Sequence, residues 1–213
     1  HCRGSNSVRD ATISGFDLIL HGTLMKPDAL EAVVKRKIPI VPTFTFQANM
    51  IDYGHLVGAS NYIKDLFRRE IIDSAEILRK AYDHGVPILC GTESGFSVTP
   101  YGQWHYREME ILIKEMGFTA LEAIRSSTSV NAIAMRLEGE IGRIEEGAFA
   151  DLILVSGDPT KDITSLGDIE NIKMIMKSGE IQKFEEEMNR LSIPGWRVVS
   201  YGQILSKDLV NKK

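Results

Sequence analysis

The chain has 213 residues, 43% of them apolar and 25% charged, and 25 basic against 29 acidic side chains leave a net charge of −4. This composition belongs to a soluble globular protein of one to one and a half domains, and it excludes a disordered, collagen-like or disulfide-scaffold chain. There is no basic field for nucleic acid, and the longest uncharged stretch of note, 38–51, holds two prolines and is too short to span a bilayer.

The sequence opens on His1 rather than Met and reads as cut from a longer one, so the lack of a signal peptide carries little weight. Its two thiols, Cys2 and Cys90, are far apart and read as reduced and buried, which fits a cytoplasmic protein. Residues 16–21 (FDLILH) form an apolar run ending in a polar residue, the pattern of a buried strand. A helix is expected over 27–37, where Leu30, Val33 and Val34 share a face and Pro27 suits the first turn. Residues 38–46 (IPIVPTFTF) read as a second strand, made irregular by its prolines. A polar loop over 52–60 leads into the longest helix, 61–84, whose apolar side is Leu66, Ile71, Ala75, Leu78 and Ala81 and which Gly85 stops. Residues 86–93 (VPILCGTE) form a third strand.

Strands that alternate with helices make βαβ units and a parallel sheet. Beyond them the pattern changes. Residues 103–116 and 119–137 read as helices, the second opened by a Thr119–Glu122 capping box. Short strands follow at 141–144, 150–155, 172–177 and 180–184, with Ser178–Gly179 as a tight turn between the last two. No helix separates those two strands, so this part is an antiparallel appendage. In the tail, 185–213, Trp196, Val198, Val199 and Tyr201 suggest partial packing.

His21 and Glu93 stand where strands end, the edge at which parallel α/β folds place their chemistry. His1 precedes His21 by 20 positions, a plausible strand-to-strand step. Imidazole nitrogen and carboxylate oxygen suit Zn²⁺ or a similar divalent ion. Such an ion lowers the pKa of a bound water to roughly 7, and a neighbouring carboxylate can take a proton and return it to a leaving group. Plainer readings stand beside these: His1 as a frayed terminal side chain, His21 as a hydrogen-bonding residue, Glu93 as a loop carboxylate at a helix N-terminus. Arg3 carries forked donors for a substrate carboxylate, or simply makes a surface ion pair. Tyr101 and His105 are candidates to line the pocket above the third strand, with Trp104 in the core. His55 is a lid residue or solvated, and His84 ends a helix. Gly91 and Gly95 permit a turn; no phosphate loop is formed, since no Lys-Ser/Thr follows.

Three stretches carry a resemblance: HCRGSNSVRDATISGFDLILHG, then ILCGTESGFSVTPYGQWHYREMEILIKEMGFTALEAIRSSTSVNA, then IGRIEEGAFADLILVSGDP before a strand hairpin. Over about residues 1–184 the sequence resembles the metal-dependent amidohydrolase superfamily, nearest its imidazolonepropionase-like and Xaa-Pro dipeptidase-like (prolidase-like) branch. The resemblance implies an α/β fold: the second half of a (β/α)₈ TIM-like barrel over 1–138, a small antiparallel β-sandwich appendage over 139–184, and a tail over 185–213. It implies one or two divalent metal ions, with zinc foremost. His1 and His21 match the ligands that end barrel strands five and six. Glu93 matches the ligand and proton shuttle that ends strand eight, where the family has Asp. The extra methylene matters, because a shift of about 1 Å in a catalytic group can cost on the order of 100-fold. The family's His-x-His pair and carboxylated lysine have no counterpart here, and half a barrel has two open edges.

The implied activity is hydrolysis of C–N bonds in an amide, dipeptide or cyclic amide, with Arg3, Tyr101 and His105 as substrate contacts. The chain is then an incomplete part of the enzyme, inactive alone. The alternative is a truncated, non-catalytic barrel remnant acting at most as a binding scaffold; a metal-free doubly wound binding domain ranks last. Expected partners are a small-molecule substrate and neither nucleic acid nor membrane, with self-association open.

Overall fold

The structure, a computed structural model, describes residues 1–95 and 98–183. Three short strands, β1 (Cys2–Arg3), β2 (Ile19–Thr23) and β3 (Ile40–Val41), lie side by side in parallel in that order. The expected third strand contributes a parallel bridge from Ile88 to Ile40, and Leu89 donates its amide to the Ile40 carbonyl at 2.8 Å. Helices join each stave to the next: α1 (Ser5–Ile13), α2 (Pro27–Arg36), then α3 (Thr45–Tyr53) and α4 (Asn61–Asp83) in series. The βα alternation read from the sequence is therefore present.

The core lies between staves and helices. Ile19, Ile40 and Ile88 from the sheet meet Val8, Ala29 and Val33 from α1 and α2, and Ala75 and Leu78 from α4. Each fully buried aliphatic side chain of this kind contributes about 1.5–3 kcal/mol. The helix ends follow local chemistry. Pro27 sits in the first turn of α2, and Lys37 closes that helix in the left-handed region. Ser60 caps α4 by accepting from the Ile63 amide.

The structure corrects several readings. Helix α1 was not expected: SNSVRDATI buries only Val8 and Thr12, too sparse a stripe to register as amphipathic. Of the strand expected over 38–46 only Ile40–Val41 pairs, and from Thr45 the chain turns into α3. The expected loop at 52–60 begins as the end of α3 and continues as a 3₁₀ turn at Gly54–Val57.

Helix α5 (His105–Met116) and the pair α6 (Ala120–Ser127) and α7 (Ser129–Ala134) follow. The single helix expected over 119–137 breaks at Thr128, whose ψ of −96° lies outside helical geometry. The expected capping box is present: Thr119 Oγ1 accepts from the Glu122 amide, and the Glu122 carboxylate accepts from the Thr119 amide. Strands β4 (Leu152–Val155), β5 (Ile172–Lys177) and β6 (Glu180–Gln182) form a separate antiparallel sheet. Ser178 and Gly179 both adopt positive φ in the turn between Lys177 and Glu180, as a two-residue hairpin of this kind requires. Residues 141–144 form bends and an open stretch rather than the expected strand. Phe184 and the tail, with Trp196, Val198, Val199 and Tyr201, lie outside the described residues. Among the described residues no helix is long and apolar enough to cross a membrane.

Candidate metal centre

His21 sits within β2 and Glu93 just beyond the Ile88 stave, both toward the carboxyl edge of the parallel sheet. The register shows how His21 is presented. Cys2 pairs with His21 and Arg3 with Thr23, so β2 fits an extra residue against β1. That residue is Gly22, at φ +62°, and a Cβ there would stand 2.8 Å from Ile40 Cγ2. Only glycine satisfies both the conformation and the space.

Next to this bulge His21 takes φ 76°, Thr43 takes 57° and Glu93 takes 51°. Three non-glycine residues at three stave ends thus occupy the left-handed region, where each costs on the order of 1–3 kcal/mol. Such strain persists where surrounding contacts hold it, and it aims side chains that an ordinary strand would point elsewhere.

The three candidate ligands converge. His1 Nδ1 lies 2.9 Å from His21 Nε2 and 3.1 Å from Glu93 Oε1, and His21 Nε2 lies 3.6 Å from the same oxygen. All three atoms fall within 4.8 Å of one another. His21 is buried, Glu93 half-buried and His1 exposed.

The shorter contacts of His21 favour one tautomer. The Thr43 hydroxyl donates to the Pro42 carbonyl at 2.6 Å, which can only accept. Toward His21 Nδ1, 2.5 Å away, Thr43 Oγ1 is then the acceptor and Nδ1 the donor, while Arg3 Nη2, which can only donate, stands farther off at 3.5 Å from the same nitrogen. The Nε2 lone pair is left facing His1 and Glu93.

Burial, with the Arg3 guanidinium and the N-terminal ammonium nearby, lowers the His21 pKa to about 4. The ring is neutral at physiological pH, as a metal ligand must be. Burial raises the Glu93 carboxyl above its ordinary range, opposed by Arg3 and the N-terminal ammonium. Arg3 is itself anchored: Nη1 pairs with Glu70 Oε1 at 2.6 Å. The Gln47 amide oxygen, turned to face it, accepts from the same nitrogen at 3.0 Å.

This donor set fits a divalent cation. Ligand bonds of about 2.0–2.2 Å in a tetrahedral shell put neighbouring donor atoms about 3.3–3.6 Å apart, near the 2.9, 3.1 and 3.6 Å found. Two nitrogens and one oxygen are a zinc-type set that leaves a position open.

The remaining candidates are placed as follows. Tyr101 is 78% exposed, and its hydroxyl lies 2.8 Å from where a Cβ on Gly95 would stand, so it belongs to the loop that follows Glu93. His105 begins α5, exposed, and its carbonyl takes the Cys90 thiol contact. Among the described residues, neither Tyr101 nor His105 shares a hydrogen bond or ion pair with the cluster. Trp104 is buried, as expected of a core residue, His84 ends α4 and His55 is exposed in the 3₁₀ turn. Cys2 and Cys90 are free thiols, half-buried rather than buried as expected, and the desolvation at Cys90 raises its pKa strongly.

Sequence reasoning missed Thr43, Gln47, Glu70 and Glu108. A signal existed for Glu108: it stands four positions before Leu112, on the buried face of α5.

The chain belongs to the amidohydrolase family, which it matches over residues 9–182. It is similar to a solved Xaa-Pro dipeptidase with methionine bound in the active site, at 30% identity and a TM-score of 0.69, over 85% of this chain and 43% of that one. It shares the fold of a prolidase complexed with N-methylphosphonate-L-proline, at 24% identity and a TM-score of 0.71, over 87% of this chain and 44% of that one. It likewise shares the fold of the A. niger ochratoxinase, at 20% identity and a TM-score of 0.67, over 82% and 39%. The chain spans less than half the length of each. No curated protein matches it. With the parallel βα order, these likenesses define a mixed α/β fold of the TIM-barrel type.

Proposed function

We propose that the chain is the C-terminal half of a (β/α)₈ barrel, with its small sheet as part of a β-sandwich, from a metal-dependent hydrolase of C–N bonds. The observation that carries the reading is the meeting of His1 Nδ1, His21 Nε2 and Glu93 Oε1 within 4.8 Å at the carboxyl edge of parallel strands. A divalent cation, when bound, supplies Lewis acidity and acidifies water.

The chain's own residues do the rest. His21 Nε2 and His1 Nδ1 offer the nitrogen positions, the His21 ring being neutral. Glu93 offers an oxygen donor and, with its carboxyl pKa raised by burial, a group that takes a proton from water and passes it to the departing amine. Arg3, beside the cluster, supplies positive charge for a substrate carboxylate, with Tyr101 and His105 as further substrate contacts in this reading.

The relatives with bound methionine and a proline phosphonate point to amino-acid amides or dipeptides as the substrate class. Zinc titration of the chain is expected to show saturable uptake that chelator reverses. Dipeptides and N-acyl amino acids, tried with the complete gene product, are expected to be hydrolysed with loss on chelation and recovery with Zn²⁺. Chelator-insensitive turnover overturns the reading.

A second reading is a barrel remnant without a working site, which predicts zinc uptake without turnover even by the complete gene product.

A further inference from the structure

Glu108 stands on α5, fully buried, with no cation in contact among the described residues. Such a carboxylate is expensive unless hydrogen bonds satisfy it. Its partners all come from one place 63 to 64 residues upstream. Glu108 Oε1 accepts from the Phe44 amide at 3.0 Å, while Oε2 accepts from the Thr45 amide at 2.7 Å and the Thr45 hydroxyl at 2.5 Å. Phe44 is the N-cap of α3 and provides no side-chain cap of its own. Glu108 therefore caps α3 from another helix and grips the turn between β3 and α3.

That turn contains Thr43, a β-branched residue at φ 57°, outside the regions such residues favour. Thr43 Oγ1 is the group against His21 Nδ1. We propose that Glu108 is a positioning residue: by holding the 43–45 turn it keeps Thr43 Oγ1 on His21 Nδ1, and so keeps the Nε2 lone pair aimed at His1 and Glu93. The inference rests on reading those three residues as a metal centre. Without the grip the turn relaxes toward ordinary φ, the Thr43 acceptor leaves Nδ1, and the ring is free to carry its proton on Nε2, where it no longer donates a lone pair. Partners that fix the orientation of a ligating histidine are worth about 10–100-fold in metal affinity.

The test uses the full chain labelled with ¹⁵N-histidine. Long-range ¹H–¹⁵N spectra without metal report the tautomer of His21, assigned by its absence in His21→Asn. Zinc affinity is measured by competition with a chromophoric chelator. The wild type is expected to show Nδ1–H. Glu108→Gln places an amide N–H against the turn's own donors, and is expected to show a mixed tautomer and zinc affinity lowered about 10–100-fold. Thr43→Val, which deletes the acceptor, is expected to match it, and Thr43→Ser to restore the wild-type pattern. Glu108→Asp, charged but one methylene short, provides the comparison should Glu108→Gln not fold. Lower thermal stability with an unchanged tautomer and unchanged zinc affinity overturns the proposal. A wild type that takes up no zinc overturns the metal-centre reading, whereas the tautomer comparison still decides the role of Glu108.

Discussion

At the residue scale the site depends on protons as much as on positions. His21 suits the proposed ligand role because Nδ1 is engaged by Thr43 Oγ1 and because burial keeps the ring uncharged. His21→Asn is therefore expected to lower zinc affinity at least about 100-fold, and elemental analysis after dialysis checks it. Glu108 predicts a pH dependence. Burial raises its pKa to about 7, against the pull of the Thr45, Phe44 and Thr43 donors. Between about pH 4.5 and 7 the folded chain thus holds a proton that the unfolded chain has released. That contribution to stability is complete below the unfolded value and is lost as pH rises through 7. Urea unfolding midpoints are expected to show this slope in the wild type and to lose it in Glu108→Gln. His1, His21 and Glu93 were legible as candidates because they are ligand-type residues near expected strand ends, and the structure brings their side chains together. Thr43 and Glu108 were not, because their roles arise from contacts spanning about twenty and about sixty-five residues that no local pattern encodes.

Elements show the same division between local and distant causes. Helices α2, α4 and α5 were legible because a long apolar stripe repeats every three to four residues. Helix α3 was read in part as strand because TFTF is β-branched and aromatic, yet Thr45, Gln47, Ala48, Asn49 and Met50 are all buried. A helix that buries polar and apolar residues alike through most of its length shows no amphipathic period. Local chemistry yields one firm expectation: Thr119→Ala removes half of the capping box on α6 and is expected to cost about 0.5–2 kcal/mol in chemical denaturation. A sharper one concerns β2. Gly22→Ala places a methyl against Ile40 Cγ2 at a positive φ. It is expected to destabilise the chain by about 1–3 kcal/mol and to weaken zinc binding as well, since His21 is the neighbouring residue. Loss of stability with unchanged zinc uptake counts against the bulge as the device that presents His21.

For the whole molecule, the sheet order ends at β1, which among the described residues pairs on one side only. Ile13, Phe16, Ile144 and Ile153 remain more than half exposed. Open strand edges together with exposed apolar side chains template association between chains. Sedimentation velocity on the isolated chain is expected to show oligomers that grow with concentration, and a single monomer boundary at all concentrations contradicts this. The family and the βα order were legible because they are written along the chain. How the open edge is covered is not, because that depends on surfaces that meet it from elsewhere.

The pairing of Arg3 with Glu70 changes what it means for a substrate to arrive. The guanidinium beside the cluster is already occupied by an acidic side chain at 2.6 Å and by the Gln47 amide. If Arg3 receives a substrate carboxylate as proposed, the newcomer meets a fork that already holds an anion on Nη1, so binding there competes with the Glu70 pairing or takes the remaining N–H groups beside it. Selectivity at that position would then rest on how well a ligand satisfies the fork alongside or instead of Glu70, the link between β1 and α4.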